Sequence, residues 1–304
     1  MQKMDMKAES TRRDFIKTTS LGMAGVSLGG ISSSMEASDQ QTKPKKVGLA
    51  IATITCDGFG DMNFEKAFEV IPKLPIKNVE FNCWYARNLT PSGIQSIKDR
   101  CKQHSLKPVC VQGTSFGASG NIIKDVTHKL WNMEAARQLG CRRVKFTGSG
   151  RGSEGGLDAV IKVLKELAPA AEEMSMLVLV ENHANNNLEN IEDYDRVFSA
   201  ISSPNVGMCM DNAHFNGANV DLFEVVDRFH SRILHIDLKD TERMGIHKVV
   251  RYGEGVTDNA GVIERMLAHG YEGYLLLEMA PPQNPTTLEA DLMKGYQLFH
   301  KYEK

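Results

Sequence analysis

The sequence predicts an α/β fold, a single (β/α)8 barrel of the TIM type, and three observations predict it. Eight apolar, β-branched runs recur at near-regular spacing, starting at Val47, Asn78, Pro108, Arg143, Leu177, Val206, Ile233 and Tyr274. Each interval between them holds a segment with apolar residues at helical spacing. The chain from Val47 to its end has the length of one such barrel, roughly 250 residues, with nothing left over for a second domain.

In order, the runs read VGLAIAT, NVEFNCW, PVCVQGT, RVKFTG, LVLVEN, VGMCMD, ILHIDL and YLLLEM. Near-continuous apolarity marks strands buried on both faces, as in a parallel sheet covered by helices. Local signals place the helices. Thr90-Pro91 reads as an N-cap followed by proline at the first helical position. DAVIKVLKELA, from Asp158 to Ala168, carries apolar residues on one helical face. Gly140 after AARQL and Gly270 after RMLAH read as glycines that end helices. An open doubly wound sheet is the structural rival. It has no need of eight even units, and no glycine-rich dinucleotide fingerprint follows the first run.

A hydrophobic fraction of 41% and a charged fraction of 24% can build a sizeable core. A formal net charge of −2 gives no electrostatic footprint for nucleic acid. The six cysteines (Cys56, Cys83, Cys101, Cys110, Cys141 and Cys209) form no C-x-x-C or zinc-ribbon spacing. They read as buried free thiols, packing as small hydrophobes.

The start of the chain differs. STRRDFIK (Ser10–Lys17) precedes TTSLGMAGVSLGGISSS, a charged segment followed by a weakly apolar one and then small residues. That is the order of a secretory signal, and the apolar part is too short and too rich in glycine and serine to span a membrane. Residues 1–40 are expected to be a leader cleaved within Ser34–Asp39, and residues 45–304 the barrel. Arg12-Arg13 with Phe15 and Lys17 resemble the twin-arginine export signal. The resemblance implies a periplasmic protein with no membrane attachment after export.

In a barrel of this class, chemistry sits at the carboxyl ends of the strands. There the sequence collects its polar residues: Glu181-Asn182-His183 after the fifth run, and Asp211-Asn212-Ala213-His214 after the sixth. His235, Asp237, Lys239 and Asp240 lie in and after the seventh, and Glu278 ends the eighth. Carboxylates from four successive strands at one rim would raise one another's pKa unless a cation joined them. A divalent ion resolves the conflict. Oxygen ligands favour Mn²⁺ or Mg²⁺, and a histidine ligand would admit Zn²⁺ or Co²⁺. On the second run Glu80 reads as a buried structural acid paired with Lys145. Trp84, of the same parity, reads with Gln112 and Phe116 as pocket lining.

These motifs resemble the xylose-isomerase-like TIM-barrel superfamily over essentially all of Val47–Lys304. The resemblance implies one metal held by Glu181 from VENH, Asp211 from MDNAH, Asp237 from HIDLKD and Glu278 from LLLEM. Where many members read H-x-H on the seventh strand, this chain reads H-x-D, so His235 is the alternative to Asp237. It further implies that Glu181 and Glu278 exchange the substrate proton. It implies too that His214 and Arg251 contact substrate, with Arg243 competing for the arginine's role. His183 lies on the face of Glu181 and is expected to do likewise.

The implied activity is metal-dependent isomerisation or epimerisation of a sugar or sugar derivative through an enediolate. The alternative is a lyase or hydratase acting on a keto-sugar or keto-glycoside, since both chemistries begin with proton abstraction beside a carbonyl. The expected partner is a small carbohydrate and not nucleic acid. An endonuclease-IV-like reading lacks histidines on the early strands. A non-catalytic carbohydrate-binding barrel would have no use for all four carboxylates.

Overall fold

A computed structural model describes residues 47–59, 62–117, 121–279 and 286–304. The twin-arginine motif and the expected cleavage segment lie outside the described residues. Eight strands close into a barrel: β1 (Val47–Ala52), β2 (Asn78–Asn82), β3 (Lys107–Gln112), β4 (Arg143–Thr147), β5 (Leu177–Glu181), β6 (Val206–Asp211), β7 (Ile233–Leu238) and, after a short antiparallel hairpin of β8 (Asp240–Thr241) and β9 (Val249–Val250), β10 (Gly273–Leu277). The order around the barrel is β1-β10-β7-β6-β5-β4-β3-β2. Every barrel pairing is parallel, and β1 closes against β10 with Val47 opposite Gly273. Each strand start falls within one residue of its sequence expectation.

The helix signals are realised as hydrogen bonds. Thr90 Oγ1 accepts from Gly93 N at 3.1 Å and opens the helix Pro91–His104. The helix Gly156–Glu173 contains the expected Asp158–Ala168 segment. Gly140 and Gly270 take φ of +79° and +80°, the left-handed conformation that a residue without Cβ adopts freely. All six cysteines are buried and unpaired. Among the described residues, no helix is long and apolar enough to cross a membrane.

Strand alternation sorts the side chains. Val178, Val180, Met208, Met210, Ile236, Leu275 and Leu277 join the large cluster beneath the helices. Residues of the other parity fill the barrel. Cys110, Leu179 and Cys209 form one small apolar cluster, and Ala50, Ala52, Ile54, Val109 and Leu276 another, with Trp84 packed on it. One step further along the same strands, the filling becomes charged. Glu80, Lys145, Glu181, Asp211, Asp237, Lys239 and Glu278 are all buried. A barrel interior usually stacks branched aliphatic residues in these layers, so the substitution of charge for hydrocarbon marks the site.

Candidate active site

The charged layer is a network rather than a ring of free acids. Lys145 Nζ, from the middle of β4, lies 2.7 Å from Asp237 Oδ2 and 2.8 Å from Glu80 Oε1. The same ammonium is 3.3 Å from Glu278 Oε2 and 3.9 Å from Glu181 Oε2. Lys239 Nζ, just beyond β7, lies 2.6 Å from both Asp211 Oδ2 and Glu278 Oε1. It is also 3.4 Å from His214 Nε2. The expected pairing of Glu80 with Lys145 is present, but as one arm of this larger network. Lys239, to which the sequence assigned no role, is a buried cation that lines the cavity.

Two lysines face five carboxylates (Glu80, Glu181, Asp211, Asp237 and Glu278), which leaves the layer three charges negative when all are ionised. Burial pushes Asp237 up to about 8, against the pull of Lys145. Burial also raises Glu181 well above the usual carboxylate range. Glu278 is buried too, but Lys239 and Lys145 outweigh that burial and hold it near 2. Both lysines are raised well above 10.5 because the surrounding carboxylates overcome the cost of burial.

Three of the four expected metal ligands converge. Glu181, Asp237 and Glu278 each offer a carboxylate oxygen, all within 4.8 Å of one another. Asp237 Oδ1 is buried and accepts no hydrogen bond among the described residues. Hard oxygen donors and a buried carboxylate oxygen that accepts no hydrogen bond fit a divalent cation, which would take the place of the protons that burial favours on Asp237 and Glu181. Asp211 does not join this group. Its Oδ1 accepts from His214 N at 2.9 Å, capping the short helix Asn212–Gly217, and its Oδ2 meets Lys239. A strand that ends in Asp-Asn-Ala-His thus uses its carboxylate to start a helix turn and to seat a lysine. Asn182 fixes the Asp211 backbone on both sides, donating to Asp211 O at 2.9 Å and accepting from Asp211 N at 2.8 Å.

His235, the alternative ligand, sits fully buried beside Cys209 and Asp237. Burial and the Lys145 charge hold its imidazole well below its ordinary pKa. Its Nε2 lies 3.5 Å from Asp237 Oδ1 and 3.8 Å from Glu80 Oε2.

Three members of the network, Glu181, Lys239 and Glu278, line a cavity of about 730 Å³ together with His183 and His214. Gln112 also lines it and donates to Glu181 Oε2 at 2.9 Å. His183 and His214 pack ring to ring with centroids 4.1 Å apart. Burial is the main cause that lowers both imidazoles, His214 well below its ordinary value. Trp84 lines the opposite part of the wall with Phe59. His247 and Lys248, from the hairpin loop between β8 and β9, complete the rim.

Three sequence expectations are corrected by position. Arg251 does not line the cavity. Asp240 Oδ2 accepts from Gly253 N and Gly255 N at 2.9 and 3.1 Å, folding the segment back. The Arg251 guanidinium then pairs with Asp291 on the helix Leu288–Phe299 and borders a separate surface cavity. Its competitor Arg243 is exposed and outside the cavity lining. Phe116 turns into the core against Phe146, with centroids 5.3 Å apart, rather than into the pocket.

The chain resembles curated proteins named inosose dehydratase. It is 20% identical over 251 residues to the one from Lactiplantibacillus plantarum, covering 76% of this chain and 78% of that protein. It is 27% identical over 137 residues to the one from Geobacillus thermodenitrificans, where the match spans 40% of this chain and 46% of the relative, under half its length. Among solved structures, an IOLI protein with a bound zinc atom superposes with a TM-score of 0.71 at 17% identity, covering 84% of this chain and 99% of that one. The apo 3-keto-D-glucoside 4-epimerase YcjR from E. coli superposes with a TM-score of 0.64 at 17% identity, covering 82% and 98%. At such identity the structures bear on fold alone. Residues 66–296, most of the barrel, match the family described as xylose isomerase-like TIM barrel, and the chain belongs to that family.

Proposed function

We propose that the chain is a divalent-metal-dependent enzyme that removes a proton beside the carbonyl of a sugar or sugar derivative. The observation that carries this is the convergence of Glu181, Asp237 and Glu278, of which Glu181 and Glu278 line a cavity of sugar-binding size and Asp237 is buried beside them. Bound there, a Mn²⁺, Mg²⁺, Zn²⁺ or Co²⁺ ion would polarise the substrate carbonyl and stabilise the enediolate. Glu181, Asp237 and Glu278 would hold the ion. Glu181 and Glu278 also face the cavity, where one can take the proton and the other return it. Gln112 fixes the Glu181 carboxylate, and Lys145 and Lys239 fix that of Glu278. Lys239 and His214 stand where a developing oxyanion would need donors.

Two outcomes follow from the same first step. Returning the proton to the neighbouring carbon or the opposite face gives an isomerase or epimerase. Loss of a β-hydroxyl gives a dehydratase, and the inosose dehydratase relatives favour that second reading. We further propose that the protein acts in the periplasm after twin-arginine export, which the Arg12-Arg13 motif supports.

The test combines metal analysis with product analysis. Wild type is expected to hold about one divalent ion per chain and Glu181→Gln/Glu278→Gln none. Incubated with keto-sugars, inositol ketones and keto-glycosides, wild type should give products of unchanged mass if it epimerises and products lighter by one water if it dehydrates. No ion taken up from Mn²⁺, Mg²⁺, Co²⁺ or Zn²⁺, and no turnover, would sink the reading. Fusing residues 1–40 to a folded reporter tests export, and replacing Arg12-Arg13 by Lys-Lys should abolish it.

A further inference from the structure

The cavity has two unlike sides. The ionic side is built from the ends of β5, β6, β7 and β10. The other side is aromatic and comes from the segments after β1 and β2, across the barrel from β5 and β6 in the strand order. There Phe59 and Trp84 stack with ring centroids 5.0 Å apart and planes 19° apart. Trp84 is anchored below, packed against the apolar cluster that includes Ile54 and Leu276. Phe59 lies above it with 64% of its surface exposed. The Tyr85 hydroxyl donates to Phe59 O, which ties the Phe59 backbone to the end of β2.

A large apolar ring left so exposed at the edge of a cavity, on a partner itself anchored in the barrel, is a surface that gains by being covered. Pyranose rings carry faces of C–H bonds that cover aromatic rings well. The cavity of about 730 Å³ has room for more than one such ring. A single hexose held by its carbonyl end against Glu181 lies at the end of β5, across the barrel from the segment after β1 that carries Phe59, and would leave that exposed ring uncovered.

Resting on the function proposed above, we propose that Phe59 and Trp84 form a second-ring subsite: the substrate is a glycoside whose oxidised ring lies against the carboxylates while its other ring stacks on the aromatic pair. The subsite selects glycosides over free monosaccharides by binding, with no part in the proton transfer.

The chain has two tryptophans, Trp84 and Trp131. Trp131 is exposed on the helix Ile122–Gln138 and does not line the cavity, so Trp131→Phe makes Trp84 the sole tryptophan reporter. The probes are glucose and the disaccharides cellobiose, maltose and trehalose, titrated against Trp84 fluorescence and by calorimetry. At least one disaccharide is expected to bind about tenfold more tightly than glucose, the factor that covering one sugar face with one ring supplies. It should shift the Trp84 emission, and Phe59→Ala should erase the gain. Because Phe59 is exposed, that variant is expected to melt with wild type. Trp84→Phe, read by calorimetry, is the check against local collapse, since it keeps an aromatic ring and should keep part of the gain.

No disaccharide exceeding glucose, or a gain that survives Phe59→Ala, would overturn the subsite. The same titration on Glu181→Gln/Glu278→Gln separates the two proposals. A Phe59-dependent gain in a chain that turns over no keto-sugar or keto-glycoside would support the subsite and remove the catalytic reading alone.

Discussion

Lys145→Met puts the charged layer to its severest test. The side chain is fully buried, and its ammonium lies within 3.3 Å of Asp237, Glu80 and Glu278. Methionine fills similar volume without charge, so the change leaves the carboxylates facing one another across hydrocarbon. Removing one partner of a buried ion pair costs roughly 3–5 kcal/mol. At about 2–4 °C per kcal/mol for a domain near this size, the melting temperature should fall by about 10 °C. The pH dependence has a definite sign. Asp237 titrates near 8 in the native protein against 3.8 as its ordinary value, so between those limits the folded state holds the extra proton. From this group, stability therefore falls as pH rises across that window. Lys145 lowers the Asp237 pKa, and without it the carboxyl titrates higher still, extending the loss to higher pH. Differential scanning calorimetry of both proteins at pH 6 and pH 9 should show the gap in melting temperature widening with pH. Added Mn²⁺ should narrow it. A variant within about 1 kcal/mol of wild type at pH 9, or a gap that shrinks as pH rises, would refute the account of Lys145 as the internal counter-charge.

Lys239→Gln removes the ammonium shared by Asp211 and Glu278. It should raise divalent-ion affinity about tenfold by calorimetric titration, because a like charge leaves the neighbourhood of the site, while turnover of any keto-sugar falls at least a hundredfold. Gly207→Ala would set a methyl group 2.4 Å from Leu234 Cδ1 and 2.6 Å from Arg232 O. Such overpacking costs roughly 1–3 kcal/mol by urea denaturation. Thr90→Ala deletes the side-chain acceptor for Gly93 N and should cost about 1 kcal/mol in the same assay. The six cysteines are buried, and burial pushes the Cys101 and Cys141 thiols up to about 12. Ellman's reagent at pH 8 should find no fast-reacting thiol in native protein and six after denaturation.

How far the sequence could be read follows from what each residue answers to. Strand starts were legible because apolar, β-branched runs answer to local pattern, and a parallel sheet covered on both faces erases the solvent alternation that would blur them. The carboxylates at the strand ends were legible for the same reason, since Glu181, Asp211 and Glu278 each terminate an apolar run. Lys145 was half legible. A charge in mid-strand of a sheet without a solvent face must point into the barrel and find a partner, and Glu80 was the partner within reach of that logic. That the same ammonium would also reach Asp237 and Glu278 depends on the closure and stagger of the barrel, which set distances between residues 92 and 133 positions apart. Lys239 was hidden by the opposite habit, because a lysine beyond the end of a strand reads as solvated. Arg251 was misplaced because a long loop can be routed either over the mouth or away from it. Asp240 decides that route by collecting the amides of Gly253, Gly255 and Thr257. The same acid sits directly beside Lys239 in sequence, so one short stretch after β7 both sends the arginine away from the mouth and brings the lysine into it. The positive charge that the sequence leads one to expect from Arg251 at the cavity is therefore carried there by Lys239, which lines it and pairs with Asp211 and Glu278.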